Sequence, residues 1–180
     1  MQACTMDPIT EPEIAAAIRA ATLEVFSTML GMEIVAGESQ SGKTAASFES
    51  GVVALLGLAG DWAGSGNVSC EPPFACKLAS QLLRAEYEAV NEDVLDAVSE
   101  VSNMIIGNVK NFLETKLGPM GLSTPTVIYG RNFETRSAGN RDWVSVPFTS
   151  GSDGMNVQIS IAPNRGRRRL TRAVHGGLPS

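Results

Sequence analysis

The 180-residue sequence predicts a single α+β domain, an α/β sandwich in which about six mainly antiparallel strands pack against long helices as two pseudo-symmetric half-units. Three observations predict it. Length and an apolar content of 43% suit one globular core rather than a repeat or disordered chain. The order of elements is helix, strands, helix, long helix, strands. The two halves also echo each other: ATLEVFSTMLGM (21–32) lies over AVSEVSNMIIGN (97–108) at an offset of 76, aligning Glu24 with Glu100, Ser27 with Asn103 and Gly31 with Gly107. A turn followed by Asn67-Val68 recurs later as a turn followed by Asn156-Val157.

Taken in order, Glu11 to Leu30 is helix-forming, with Ile14, Ile18, Leu23, Phe26, Met29 and Leu30 as its apolar stripe and Gly31 as its stop. Glu33–Ala36 is a short strand. Gly51–Gly60 and Asn67–Cys70 read as strands joined by the Gly-rich turn GDWAGSG. Pro72 and Pro73 open a second helix with Phe74, Leu78, Leu82 and Leu83 inward. Asn91 is a suitable N-cap, and Glu92 and Asp93 favour the positive end of the long helix that runs to about Lys116. Strands come next at Pro125–Tyr129, Asp142–Thr149 and Met155–Ala162, with Gly130–Arg141 as a polar, irregular insertion. Residues 1–9 read as an N-terminal extension, 10–163 as the domain and 164–180 as an Arg-rich disordered tail.

Charge is unevenly placed. Five of the 14 Lys and Arg residues, Arg165, Arg167, Arg168, Arg169 and Arg172, lie in the tail, and no Asp or Glu occurs after Asp153. Residues 1–164 therefore carry a net charge of -10 and the tail +5. An acidic body repels phosphate backbones, which argues against nucleic acid as the main partner. Cys4, Cys70 and Cys76 lack metal-ligand spacing, and the single His175 cannot complete a zinc site, so no metal is expected. This cysteine usage suits a reducing cytosol. Asp7, Glu11 and Glu13 stand where a secretory signal would need positive charge, and the longest apolar run falls far short of the ~20 residues of a membrane span. The expectation is a cytoplasmic protein with no membrane association.

Gly37 to Thr44 (GESQSGKT) satisfies the phosphate-loop pattern G-x-x-x-x-G-K-[ST]. That chemistry needs a helix beginning at Lys43, so that its amides and dipole hold the phosphates. Thr44 leads instead into a short polar stretch and then the strand-like run from Gly51, so the motif reads as a loop between strands.

The long helix is more informative. At about 100° per residue, Val94, Leu95, Val98, Val101, Ile105, Ile106, Val109, Phe112 and Leu113 form one apolar face. Asp96, Glu100, Asn103, Gly107, Lys110, Asn111 and Glu114 fall on the other. Asn is a weak mid-helix residue, and Gly107 costs about 1 kcal/mol relative to Ala. Neither is needed for packing on a solvent face. A bare surface flanked by a carboxylate and a carboxamide suits close docking of another protein.

Asp96-x3-Glu100-x2-Asn103, continuing as NMIIGNVK, resembles the active-site helix of the CheC/CheX/FliY family of chemotaxis phosphatases, and CheX-like members most. STMLG, GLAGDWAGSGNVS and STPTVIYG look like their counterparts, so that the similarity spans roughly residues 10–162. Pro125 comes after Asn103 with 21 residues between, one fewer than the family spacing. The resemblance implies removal of the phosphoryl group from the phosphoaspartate of a CheY-type response regulator. Asn103 would orient the attacking water, and Glu100 would pair with the regulator's Lys. Asp96, Met104, Gly107 and Lys110 would line the contact, and Mg2+ would belong to the regulator, leaving this chain without a cofactor of its own. The first half has Ala20 and Ser27 in place of Asp96 and Asn103, implying one active helix, and the family homodimer joins subunits through their sheets. The alternatives are a non-catalytic module of the same fold that docks a regulator or flagellar component, and a nucleotide-binding protein using Lys43.

Overall fold

A computed structural model describes residues 9–42, 47–134 and 142–164. Most of the N-terminal extension, Lys43 and Thr44 of the phosphate-loop pattern, part of the expected insertion and the Arg-rich tail from Arg165 lie outside the described residues. Helix α1 (Glu11–Val25) continues into one π-helical turn, Phe26–Leu30. After it come β1 (Val35–Ala36), β2 (Gln40–Gly42), β3 (Ser47–Gly60), β4 (Trp62–Cys70) and α2 (Pro72–Leu83). The second half comprises α3 (Glu92–Leu117), β5 (Met120–Leu122), β6 (Thr126–Glu134), β7 (Trp143–Ser150) and β8 (Asp153–Pro163).

One eight-stranded antiparallel sheet has the order β1-β7-β8-β4-β3-β5, with β2 also on β7 and β6 also on β3. That order is a palindrome. The hairpins β3–β4 and β7–β8 meet at the central β4–β8 pair, and each half sends its first two strands to the other half's hairpin. Val68 and Val157, aligned by the internal echo, sit directly opposite each other at the centre. The half-repeat read from the sequence is thus a real two-fold relation, broken by α2, which has no counterpart among the described residues of the second half.

The helices cover one face of the sheet. Val52, Ala54, Leu56 and Leu58 of β3 alternate inward with Val68, Val146, Val157 and Ile159, building a single core with the buried sides of α1, α2 and α3. Phe26 of the π turn and Phe74 of α2 meet with ring centroids 6.1 Å apart. On the opposite face the middle of the sheet is polar, and the Asn67 side-chain amide donates to Gln158 Oε1 at 3.1 Å. These residues are also register partners, so the bond favours one alignment of the central pair.

Four expectations change. Eight strands form rather than about six, because the three-residue β2 and β5 are too short to show alternation and take their conformation from β7 and β3. GDWAGSG is not a long turn: only Asp61 lies between β3 and β4, and the glycines serve close approach within the strand. A Cβ on Gly64 would overlap the Ser160 carbonyl oxygen, and one on Gly66 would lie 2.9 Å from Ile106 Cδ1 of α3. The expected insertion begins later than Gly130, because β6 continues to Glu134 paired along β3. Finally, Leu23 (40% exposed), Met29 (51%), Leu83 (45%) and Phe112 (37%) leave their apolar stripes. Met29 does so within the π turn, where an extra residue per turn rotates it outward.

Candidate active site on the long helix

Sequence and packing both fix α3. The Asn91 side chain accepts from the Val94 N–H at 3.0 Å, capping the first turn as its residue type suggests. Val94, Val98, Val101, Ile105, Ile106, Val109 and Leu113 are fully or almost fully buried, and Gly66 lets Ile106 settle against β4. The far end is tied twice. Lys116 forms an ion pair with Glu13 of α1. Glu114 accepts from the Met120 N–H at 2.7 Å through Oε1 and binds Lys110 at 2.9 Å through Oε2. These bonds hold the Glu114 carboxyl below the usual range, Lys110 contributing most. Hydrogen bonding by Lys116, then by Thr10, lowers Glu13 to about 2.

On the helix so fixed, Glu100 is exposed and Asn103 half-buried, and neither side chain has a hydrogen-bonding or ionic partner among the described residues. They are about 4.5 Å apart along the axis and on neighbouring turns of one face. Asp96 lies exposed one turn earlier and Gly107 half-buried one turn later. A Cβ on Gly107 would meet only Leu122 Cδ2, at 3.8 Å, which is ordinary contact. The fold therefore does not require glycine there, although the helix loses stability by having it. The result is an open strip with an unengaged carboxylate and carboxamide at its centre.

The sequence-predicted residues thus share one face, with two refinements. Asn103, Gly107 and Lys110 are half-buried rather than fully in solvent, and Leu122 of β5 lies beside Gly107. Met104 packs partly against the core. Sequence reasoning missed the part played by Glu114 in holding Lys110, although the i, i+4 spacing announces it. It also missed Leu122, for which β5 offers no sequence signal.

The equivalent face of α1 is built differently. Ser27 and Thr28 donate their hydroxyls to the Glu24 carbonyl at 3.1 and 2.7 Å. The helix then ends at Gly31, whose φ of 61° is left-handed. Among the described residues the phosphate-loop letters meet no helix: Gln40–Gly42 is a strand paired with β7, and Ser47 already belongs to β3. Among the described residues, no cluster of His, Cys, Asp and Glu could hold a metal ion, and no helix is long and apolar enough to cross a membrane.

The two-fold antiparallel sheet backed by long helices is the fold of CheC-like proteins: a CheC-like superfamily protein from Shewanella sp. PV-4 superposes with a TM-score of 0.74 at 26% identity, covering 83% of this chain and 97% of that one. The family model described as chemotaxis phosphatase CheX matches residues 52–149, and the chain belongs to that family. A curated relative, the CheY-P phosphatase CheX of Thermotoga maritima, is 27% identical over 130 residues, covering 72% of this chain and 83% of the relative. A putative chemotaxis protein from Desulfovibrio vulgaris Hildenborough superposes with a TM-score of 0.76 at 28% identity, covering 83% of this chain and 97% of that one. In the CheX–CheY–BeF3–Mg2+ complex from Borrelia burgdorferi, the similar chain has a TM-score of 0.69 at 28% identity, covering 82% of this chain and 97% of its own.

Proposed function

We propose that this protein removes the phosphoryl group from the phosphoaspartate of a CheY-type response regulator, with Glu100 and Asn103 of α3 entering the regulator's active site. The observation that carries this reading is the pair of unengaged side chains on an open, rigidly seated helix face. An acyl phosphate is already reactive, so the task is to place one water in line and exclude others. The Asn103 carboxamide can accept a hydrogen from that water and donate toward a phosphoryl oxygen, fixing its approach. Glu100, being exposed, can reach a lysine on the regulator and set the depth of insertion. Gly107 admits the partner's surface one turn away, while Asp96, Met104 and Lys110 border the contact. Mg2+ is supplied by the regulator, consistent with the composition of the Borrelia complex.

The same reading includes a reducing, cytoplasmic setting, supported by two free, buried thiols, Cys70 and Cys76, with burial pushing Cys70 up to about 12. It also includes a homodimer joined through the sheets, supported by β6, a nine-residue strand that pairs only with β3 among the described residues and leaves Ile128 and Tyr129 exposed. The test is addition of the purified protein to a phosphorylated CheY-type receiver. Accelerated phosphate loss supports the enzyme, whereas binding without acceleration identifies a non-catalytic docking module instead.

A further inference from the structure

The face of the sheet turned away from the helices takes no part in that function, yet its middle is built of buried polar side chains. Register and strand alternation put Asn67, Trp143, Ser145, Asn156, Gln158 and Ser160 on this one face. Asn67 and Ser145 are both register partners of Gln158, and Trp143, Asn156 and Ser160 each stand two positions along a strand from a member of that row. Trp143 is 4% exposed but lies outside the single core, so packing under the helices does not account for its burial.

The side chains are oriented by a directed chain of hydrogen bonds. Asn67 Nδ2 donates to Gln158 Oε1 at 3.1 Å, Gln158 Nε2 donates to Ser145 Oγ at 3.3 Å, and Ser145 Oγ donates to Asn156 Oδ1 at 2.8 Å. Each link uses one hydrogen, so Gln158 keeps a second amide hydrogen and Asn156 keeps both of its own. Three more polar atoms, Asn67 Oδ1, Trp143 Nε1 and Ser160 Oγ, are buried without a partner among the described residues. The other such atoms, on Thr22 and Ser102, belong to helices, so every one that the described sheet contributes falls on this face.

A cavity of about 370 Å³ opens on the same face, lined by β2 and by Trp143, Ser145, Asn156 and Gln158. Small-molecule sites usually measure about 300–1,000 Å³. The chemistry of the lining narrows the occupant. None of these residues is charged, and residues 1–164 carry a net charge of -10, so an anion is unfavoured and a cation finds no counter-charge in the cavity. An apolar ligand would leave the amide hydrogens and the indole N–H unpaired, which costs affinity. The match is a neutral molecule whose groups both donate and accept hydrogen bonds and which has an apolar face to lie on the indole.

We propose that this cavity binds a neutral polyol of the sugar or cyclitol class, with Asn156, Gln158 and Trp143 as its fixed donors and Gln40 of the edge strand as an adaptable one. The sheet separates it from Glu100 and Asn103 of α3, and the inference does not depend on the proposed phosphatase function.

The chain has two tryptophans, so a full chain isotopically labelled at nitrogen gives two indole N–H resonances by NMR, which a Trp62→Phe variant assigns. D-Glucose, D-galactose and myo-inositol are titrated separately to about 50 mM, far enough above a Kd of about 1 mM to reach saturation. At least one of them should shift the Trp143 resonance along a saturating curve while that of Trp62 stays in place. Asn156→Ala and, on the exposed edge strand, Gln40→Ala should each weaken this binding roughly 10-fold or more, with the rest of the amide spectrum retained. No saturable shift with any of the three would overturn the proposal and leave the cavity to water alone. Equal shifts of both indole resonances, or undiminished binding by both variants, would overturn it as well. A saturable shift with sodium phosphate or acetate in place of the polyols would assign the cavity to an anion and also contradict it.

Discussion

Helices α1 and α3 hold equivalent places in a two-fold sheet, yet α3 alone of the two carries both a Glu and an Asn without a partner among the described residues on one face. The difference is not one of burial, since both anchor the core, α1 through Phe26 of its π turn and α3 through Ile105 and Ile106. It lies in what happens beyond Glu24 and Glu100. In α3 the helix runs more than three further turns with regular geometry, so Asn103 keeps to the face of Glu100 and Gly107 sits in mid-helix. In α1 a π turn begins two residues after Glu24, Ser27 spends its hydroxyl on the backbone, and Gly31 closes the helix. The same letters at an offset of 76 thus do opposite work: Gly31 ends a helix and Gly107 bares one.

The largest effect tests the structural equality of the halves. Phe26→Ala and Ile106→Ala should each lose about 2–5 kcal/mol in chemical denaturation, since each removes a fully buried anchor. A loss confined to one of them would mean that the halves are not equally structural. Next come the paired glycines. Gly31→Ala should destabilise by about 1–2 kcal/mol, because alanine resists the left-handed backbone. Gly107→Ala should stabilise by up to about 1 kcal/mol, its methyl meeting only Leu122. Gly107→Ala should nonetheless weaken receiver binding, measured by titration, as the strip it helps to bare becomes narrower.

The tie between the halves is pH-dependent. Glu13 is held at about 2 against an ordinary 4.5, chiefly by its hydrogen bond with Lys116. A lowered carboxyl contributes stability that is fully present above about 4.5 and is lost as pH falls toward 2. Glu13→Gln should therefore flatten the acid limb of a stability–pH curve in that window, while an unchanged limb would show that the pair links nothing in solution. The smallest effect is the most pointed: Ser27→Asn should confer no activity on α1 in an Asn103→Ala background, because the helix bearing it ends at Gly31.

Much of this was legible in the residues. The spacing Asp96, Glu100, Asn103, Gly107 gave one face of a helix, and Asn91, Pro72 and Gly31 marked helix ends that the structure keeps. The internal echo foretold the palindromic sheet. The unreadable parts depend on partners distant in sequence. Strands β2 and β5 exist because β7 and β3 offer free edges, and Gly64 and Gly66 look like turn residues until the strands and helix beside them are known. The position of Leu122 beside Gly107 is likewise encoded by no local pattern.

The central claim is that one helix of the two does the chemistry, through Asn103. Its most direct test is the rate of phosphate loss from a phosphorylated receiver in the presence of Asn103→Ala and, in parallel, Ser27→Ala. The account predicts that Asn103→Ala folds normally and loses activity by about 10²-fold or more, while Ser27→Ala matches the unaltered protein. Undiminished activity in Asn103→Ala, or equal losses in both variants, would contradict it.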